Sequence, residues 1–243
     1  MKQFKADLHI HTALSPCAME EMTPPAIVRE AGRSGLEMIA ICDHNAAGNV
    51  APTQEAAGAA IATIAGMEIT TAEDIHVVGL FPSSANARAA ADVVREGLPL
   101  LSDRSGKFGC QLLMNSHGWV VGTEPKMLAA SSVLTLSQVI SLIKNHSGLA
   151  MAAHVNRPSF SVVSQLGLFP IDAGFDAVEV FSKSPFASRL QQEVCGMPIV
   201  NSSDSHSLDE IGTCFTVFEM AEASFGELVF ALKGISGRKC CNA

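Results

Sequence analysis

No apolar run in this 243-residue chain is long enough to cross a membrane, since a spanning helix needs about 20 such residues. Met1 to Leu8 is a strand-like stretch carrying Lys2, Lys5 and Asp7, without an apolar signal core. The expectation is therefore a cytoplasmic protein with no membrane partner. Basic clusters are also missing: 16 lysines and arginines are scattered against 24 acids, for a formal net charge of −8. A long phosphate backbone calls for a basic face, so long nucleic acid is not an expected partner. The seven cysteines include no C-x-x-C pair, and without a signal peptide they read as reduced, structural thiols. There is no G-x-S-x-G elbow and no P-loop, which leaves covalent serine chemistry and ATP-driven phosphoryl transfer without support. Nothing in the sequence sets the oligomeric state.

Short apolar runs alternating with helix-like segments are present instead. Strands are expected at 4–11, 37–42, 63–69, 75–81, 149–154, 177–181, 198–201 and 213–218, and helices at 24–34, 53–60, 84–97, 137–145 and 224–233. Pro24-Pro25 suits a first helical turn, where proline costs no hydrogen bond. Such alternation predicts βαβ units, a mostly parallel sheet and, at this strand number and length, a β/α barrel occupying residues 1–243 as one domain. Residues 103–135 fit the rhythm least and read as a hairpin-bearing insertion, from Gln111–Asn115 to Trp119–Gly122.

The histidines sit where these strands stop. His9 and His11 end the first strand, with Asp7, His9 and His11 alternating on one face; Asp7 there could orient one of the two imidazoles. His44 follows the second strand in CDHN, Glu68 closes the third in GMEI, and His154 ends AMAAH with Arg157 close behind. Asp204 and His206 follow PIVNS. His76 lies at the start of its strand, which a reversal of chain direction would explain. The carboxyl ends of parallel strands converge on one face of such folds, so these residues should meet there. His117 and His146 lack this context; His146 sits where an imidazolium can cap a helix.

The ordered set DLHIHTALS, CDHN, GMEI, HVVGL, AAHVNRP and SSDSH resembles the PHP (polymerase and histidinol phosphatase) superfamily over roughly residues 6 to 215. The resemblance implies a distorted TIM-like (β/α)7 barrel, two or three divalent metal ions (zinc, manganese or iron) and hydrolysis of phosphate esters. It implies a first metal on His9, His11, Glu68 and Asp204, a second on Glu68, His76 and His154, and a third on His44 and His206. Many relatives carry an acid or histidine just after H-x-H; here Pro16 stands in that place. Cys17, Glu20 or Glu21 could substitute, and Glu21 is preferred because hard oxygen donors suit manganese and tolerate zinc. Cys17 reads as an ordinary loop residue.

The expected reaction is attack of metal-activated water on a small phosphomonoester or nucleotide phosphate. Arg157 is the expected phosphate-binding and catalytic arginine, Lys183 a second phosphate contact, and Asp43 a supporting group in the catalytic set. The alternatives are an exonuclease acting on short nucleic-acid ends, histidinol phosphatase itself, and a metal-binding regulatory protein without turnover.

Overall fold

The structure is a computed structural model that describes residues 1–101, 109–181, 184–194 and 196–241. Lys183 and Cys195 fall outside these. Among the described residues, eleven strands and seven α-helices follow in the order β1 (Lys2–Ile10), α1 (Pro24–Arg33), β2 (Met38–Ile41), α2 (Val50–Ala57), β3 (Ala62–Thr70), β4 (His76–Phe81), α3 (Ser84–Glu96), β5 (Leu112–Met114), β6 (Val120–Thr123), α4 (Leu136–Asn145), β7 (Leu149–Ala152), α5 (Val162–Leu166), β8 (Ala177–Phe181), α6 (Ser188–Glu193), β9 (Ile199–Ser202), β10 (Thr216–Met220), α7 (Phe225–Leu232) and β11 (Lys239–Cys241). The helix starts carry local signals. Ser83 caps α3 by accepting from the Asn86 N–H, and Thr135 and Gln138 form a reciprocal capping box on α4.

The main sheet runs β11-β10-β1-β2-β3-β4-β7-β8-β9. It curls until β1 meets the segment that follows β9. A parallel bridge joins Ile10 to Ser205, just past β9, and the Ser205 carbonyl accepts from the His11 N–H at 3.0 Å. β1, β2, β3, β4, β7, β8 and β9 thus form a nearly closed seven-stranded, TIM-like barrel, while β10 pairs with the lower half of β1 and carries β11 outside it.

The expected predominance of parallel pairing is corrected. β1–β2, β2–β3, β7–β8 and β8–β9 are parallel, but β4 runs antiparallel to both β3 and β7, as does β10 to β1 and β11. The cause is the connection between β3 and β4. It spans only residues 71–75, and a parallel crossover needs a dozen residues or more. The expected hairpin exists as the separate β5–β6 sheet.

Alternate residues of β2 enter different apolar clusters, as a strand buried on both faces requires. Ile39 and Ile41 pack with the helix residues Ile27, Ala87, Val139 and Ile143. Met38, Ala40 and Cys42 pack with Leu8, Val78, Met151 and Val200, together with Leu228 and Leu232 of α7. No helix among the described residues is long and apolar enough to cross a membrane.

Candidate metal centre

The reversal of β4 decides the geometry of the site. Thr70 at the end of β3 pairs with His76 at the start of β4, so His76 rises at the edge where the parallel strands finish. A bridge between His44 and Glu68 ties the turn after β2 to the end of β3. His154 follows β7, and Asp204 and His206 follow β9. The expectation that a change of chain direction accounts for His76 is met.

Glu68 is the hub. Its Oε1 lies 2.8 Å from His76 Nδ1 and 3.2 Å from His154 Nε2. Its Oε2 lies 3.0 Å from His44 Nδ1, 3.5 Å from His11 Nε2 and 3.6 Å from His9 Nε2. Opposite it, Asp204 Oδ1 is 3.2 Å from His11 Nε2 and 3.5 Å from His9 Nε2. Three sets of candidate ligand atoms lie within 4.8 Å of one another: His9, His11 and Asp204; His44, Glu68 and His76; and His11, His44 and His206. Six imidazoles and two carboxylates expected to converge therefore do so; His9, His11, Glu68, His154 and Asp204 are buried, and His44, His76 and His206 half-buried.

Burial penalises every charge here, and opposite charges decide the outcome. Glu68 is pushed up by burial, yet His76, His9 and His44 hold it well below the usual carboxylate range. Burial depresses His44, but Glu68 lifts it to about 10. His11, buried and facing His206, His44 and His9, is held well below its ordinary value.

Two carboxylates brace the cluster from behind. Glu179, which sequence reasoning missed, offers its carboxylate oxygens to His9 Nδ1 at 3.0 and 3.1 Å and accepts from the His154 backbone N–H at 3.0 Å. The signal was there: an acid at the centre of the apolar strand AVEVF, where an unpaired carboxylate would be costly. Asp43 accepts from the Thr12 N–H at 2.7 Å and from the hydroxyls of Thr12 and Ser15 at 2.8 and 2.7 Å. The Ser15 hydroxyl sits 3.0 Å from His11 Nδ1. The Asp43 carboxylate thus reaches His11 through Ser15, as a positioning residue, while the Asp43 carbonyl accepts from the Glu68 N–H at 3.1 Å. Asp7 does not orient an imidazole; its carboxylate accepts from the Ser203 and Gly212 N–H groups, each at 3.0 Å, and fastens the loop that carries Asp204.

Arg157 stands at the rim. Its guanidinium donates to Asp204 Oδ2 and lies 4.8 Å over the Phe181 ring. Glu21, the residue preferred for the third ligand set, is exposed and joins none of the three clusters. The loop that carries it turns back at Met19, whose N–H bonds to the His206 carbonyl, and Cys17 lines the hollow beside His44; burial raises the Cys17 thiol, but His206 and His44 bring it down to about 6. His146 bonds the Leu142 carbonyl of its own helix at 2.9 Å, and His117 is exposed in the β5–β6 turn.

The donor set suits divalent cations. Imidazole and carboxylate serve zinc, iron and manganese alike, and the buried Nδ1 of His154 has no hydrogen-bond partner among the described residues. Two of the candidates also hold left-handed or near left-handed backbone, His154 at φ 29° and Asp204 at φ 52°, as does Asn45, beside His44, at φ 50°.

The PHP domain model matches residues 7–163. The chain belongs to the PHP family. A PHP-associated model matches residues 192–234. An uncharacterized protein of Methanocaldococcus jannaschii is 28% identical over 189 residues, covering 73% of this chain and 81% of its own length. Among solved structures, the lesion-specific endonuclease Q of Pyrococcus furiosus superposes with a TM-score of 0.72 at 21% identity over 98% of this chain. Endonuclease Q in complex with a 27-mer duplex bearing an abasic lesion at the active site gives 0.70 at 19% identity and the same coverage. This PHP chain spans only 58% of either endonuclease chain. A Bifidobacterium adolescentis protein, described as a metal-dependent phosphoesterase on a putative basis, gives 0.57 at 18% identity, with 83% of this chain and 87% of that one covered. At these identities the structural likenesses speak to the fold alone.

Proposed function

We propose that this PHP protein is a metal-dependent phosphoesterase, holding two or three divalent ions on His9, His11, His44, Glu68, His76, His154, Asp204 and His206. The observation that carries the reading is the convergence of five imidazoles on the single buried carboxylate Glu68, far more nitrogen donors than one ion pair requires. Divalent ions held there would supply a water acidified towards neutrality and positive charge against the negative charge that develops on a phosphoryl group. The protein's own part is positional. Glu179 keeps the Nε2 of His9 turned inwards, and Asp43 does the same for His11 through Ser15. Arg157 sits at the rim, where its planar fork can take phosphate oxygens.

A phosphate on a nucleic-acid strand is the second reading. The expectation from net charge that long nucleic acid is no partner finds no support among the structural relatives, since one of them was solved with a damaged duplex. Metal cations can supply locally the positive field that the surface lacks. The test is a panel of phosphomonoesters, nucleotides and intact or abasic oligonucleotides, offered to metal-free and to zinc-, manganese- or iron-loaded protein. Metal-dependent release of phosphate or strand scission is expected. Absence of turnover across the panel by loaded protein overturns the proposal. A steep fall of activity with salt for oligonucleotides alone would select the second reading.

A further inference from the structure

Resting on the metal-dependent reading, we infer that Cys17 is itself a metal ligand, its sulfur joining His44 and His206 to form a third, thiolate-bearing site that prefers zinc to manganese or magnesium. The nitrogens of His11, His44 and His206 lie within 4.8 Å of one another, with the His11 ring centroid 4.2 Å from that of His206 and 4.6 Å from that of His44. Cys17 lines, with His44, His76 and Phe160, the hollow that opens beside the cluster, two residues before the Met19 N–H that bonds to the His206 carbonyl.

The oxygen donors nearby have other partners or lie outside the hollow. Glu20 accepts from the Cys110 thiol at 3.0 Å; Cys17 and Glu21 are both exposed, but only Cys17 lines the hollow with His44; Glu68, 3.0 Å from His44, also serves His76 and His154, and Asp204 serves His9 and His11. The loop is held in place: the Ala18 N–H bonds to Ser15 O at 3.0 Å and the Met19 N–H to His206 O at 2.8 Å, so Cys17 moves with the histidine it would share a metal with. Two imidazoles and a thiolate form a soft set that disfavours manganese and magnesium. Three protein ligands leave a tetrahedral ion one open position, which marks a catalytic rather than a structural zinc.

The test loads metal-free protein with cobalt(II) and reads its absorption. The wild-type protein should show a near-ultraviolet sulfur-to-cobalt charge-transfer band alongside the visible ligand-field bands. Cys17→Ser should lose the charge-transfer band and bind one cobalt fewer per chain, while Cys17→Asp should restore the third cobalt without the band. Ligand-field bands with no charge transfer in the wild type, or a band that survives in Cys17→Ser, would overturn the proposal and leave the phosphoesterase reading standing. Failure to bind cobalt at all would sink both. Independently, zinc should slow alkylation of Cys17 about tenfold or more, as expected when a thiolate is tied up by a metal, and leave the exposed Cys110 unaffected. Equal Cys17 rates with and without zinc would also overturn the assignment.

Discussion

Glu179 holds the inner edge of His9: both carboxylate oxygens lie 3.0–3.1 Å from its Nδ1, while the same group accepts from the His154 backbone N–H. One acid in an apolar strand therefore sets the direction of candidate ligands on β1 and after β7. Replacing a carboxylate that orients a ligating imidazole typically costs 10–100-fold in metal affinity. Glu179→Gln, close in shape, is expected to weaken binding by about tenfold or more in a competitive chelator titration. Unchanged affinity would reduce Glu179 to a packing role.

Glu68→Gln removes the hub. It keeps the volume of the side chain but takes away the negative charge that faces five imidazoles. Elemental analysis should show at least one metal lost per chain, and ester hydrolysis should fall by roughly 10³-fold, the scale of several kcal/mol of charge stabilisation.

Chelation should destabilise the fold. A ligand at 100 times its dissociation constant stabilises by about 2.7 kcal/mol, and 1 kcal/mol moves the melting temperature of a domain this size by about 2–4 °C. Stripping metal is thus expected to lower Tm by about 5–10 °C, recoverable on adding zinc. Calorimetry in which the treated and untreated transitions coincide would count against a resident metal.

Asp7 makes stability depend on pH in a window from about 4 to 6, which adjoins the histidines' ordinary range. Burial raises its carboxyl to about 6, against opposing hydrogen bonds from Ser203 and Gly212. The folded state thus binds this proton more tightly than the unfolded state does. The stability it contributes is complete below about 4 and is lost as pH rises through about 6, an effect bounded near 3 kcal/mol. Denaturant titrations should show that this part of the slope is absent from Asp7→Asn, whatever the mutant's absolute stability.

Arg157→Ala is expected to lower kcat/KM for phosphate esters by roughly 10²-fold, the worth of a charge-assisted phosphate contact. Because Arg157 also pairs with Asp204, metal content must be measured alongside. If lost activity follows lost metal, Arg157 serves Asp204; if the metals stay, it serves the substrate. Arg157→Lys should not restore the rate, since an ammonium lacks the planar fork.

Much of this was legible from strand ends. His9, His44, Glu68, His154 and Asp204 each close or follow an apolar run, and the barrel rule brings such ends together. His76 was the instructive exception, readable only because a five-residue connection cannot carry a parallel crossover. Glu179 was overlooked because an isolated acid inside a strand has no partner visible along the chain; its partner is 170 residues away. Glu21 was preferred to Cys17 as the third-set donor, and the structure leaves Glu21 exposed and outside the three clusters. Donor hardness argued for the glutamate, whereas the course of the loop, tied by the Met19 N–H to the His206 carbonyl, puts Cys17 in the hollow beside His44. β11, α5 and α6 went unread because they are short and weakly periodic.

The left-handed backbone at Asn45, His154 and Asp204 bears on how this protein could be improved or could drift. Such conformations cost of order 1–3 kcal/mol for residues with a side chain, and glycine adopts them freely. A selection for thermal robustness alone would therefore favour glycine at His154 and Asp204, and each gain would erase a donor from the cluster. Variants recovered from such a screen should fall into two groups: those that spare these positions, and those that are sturdier and inert.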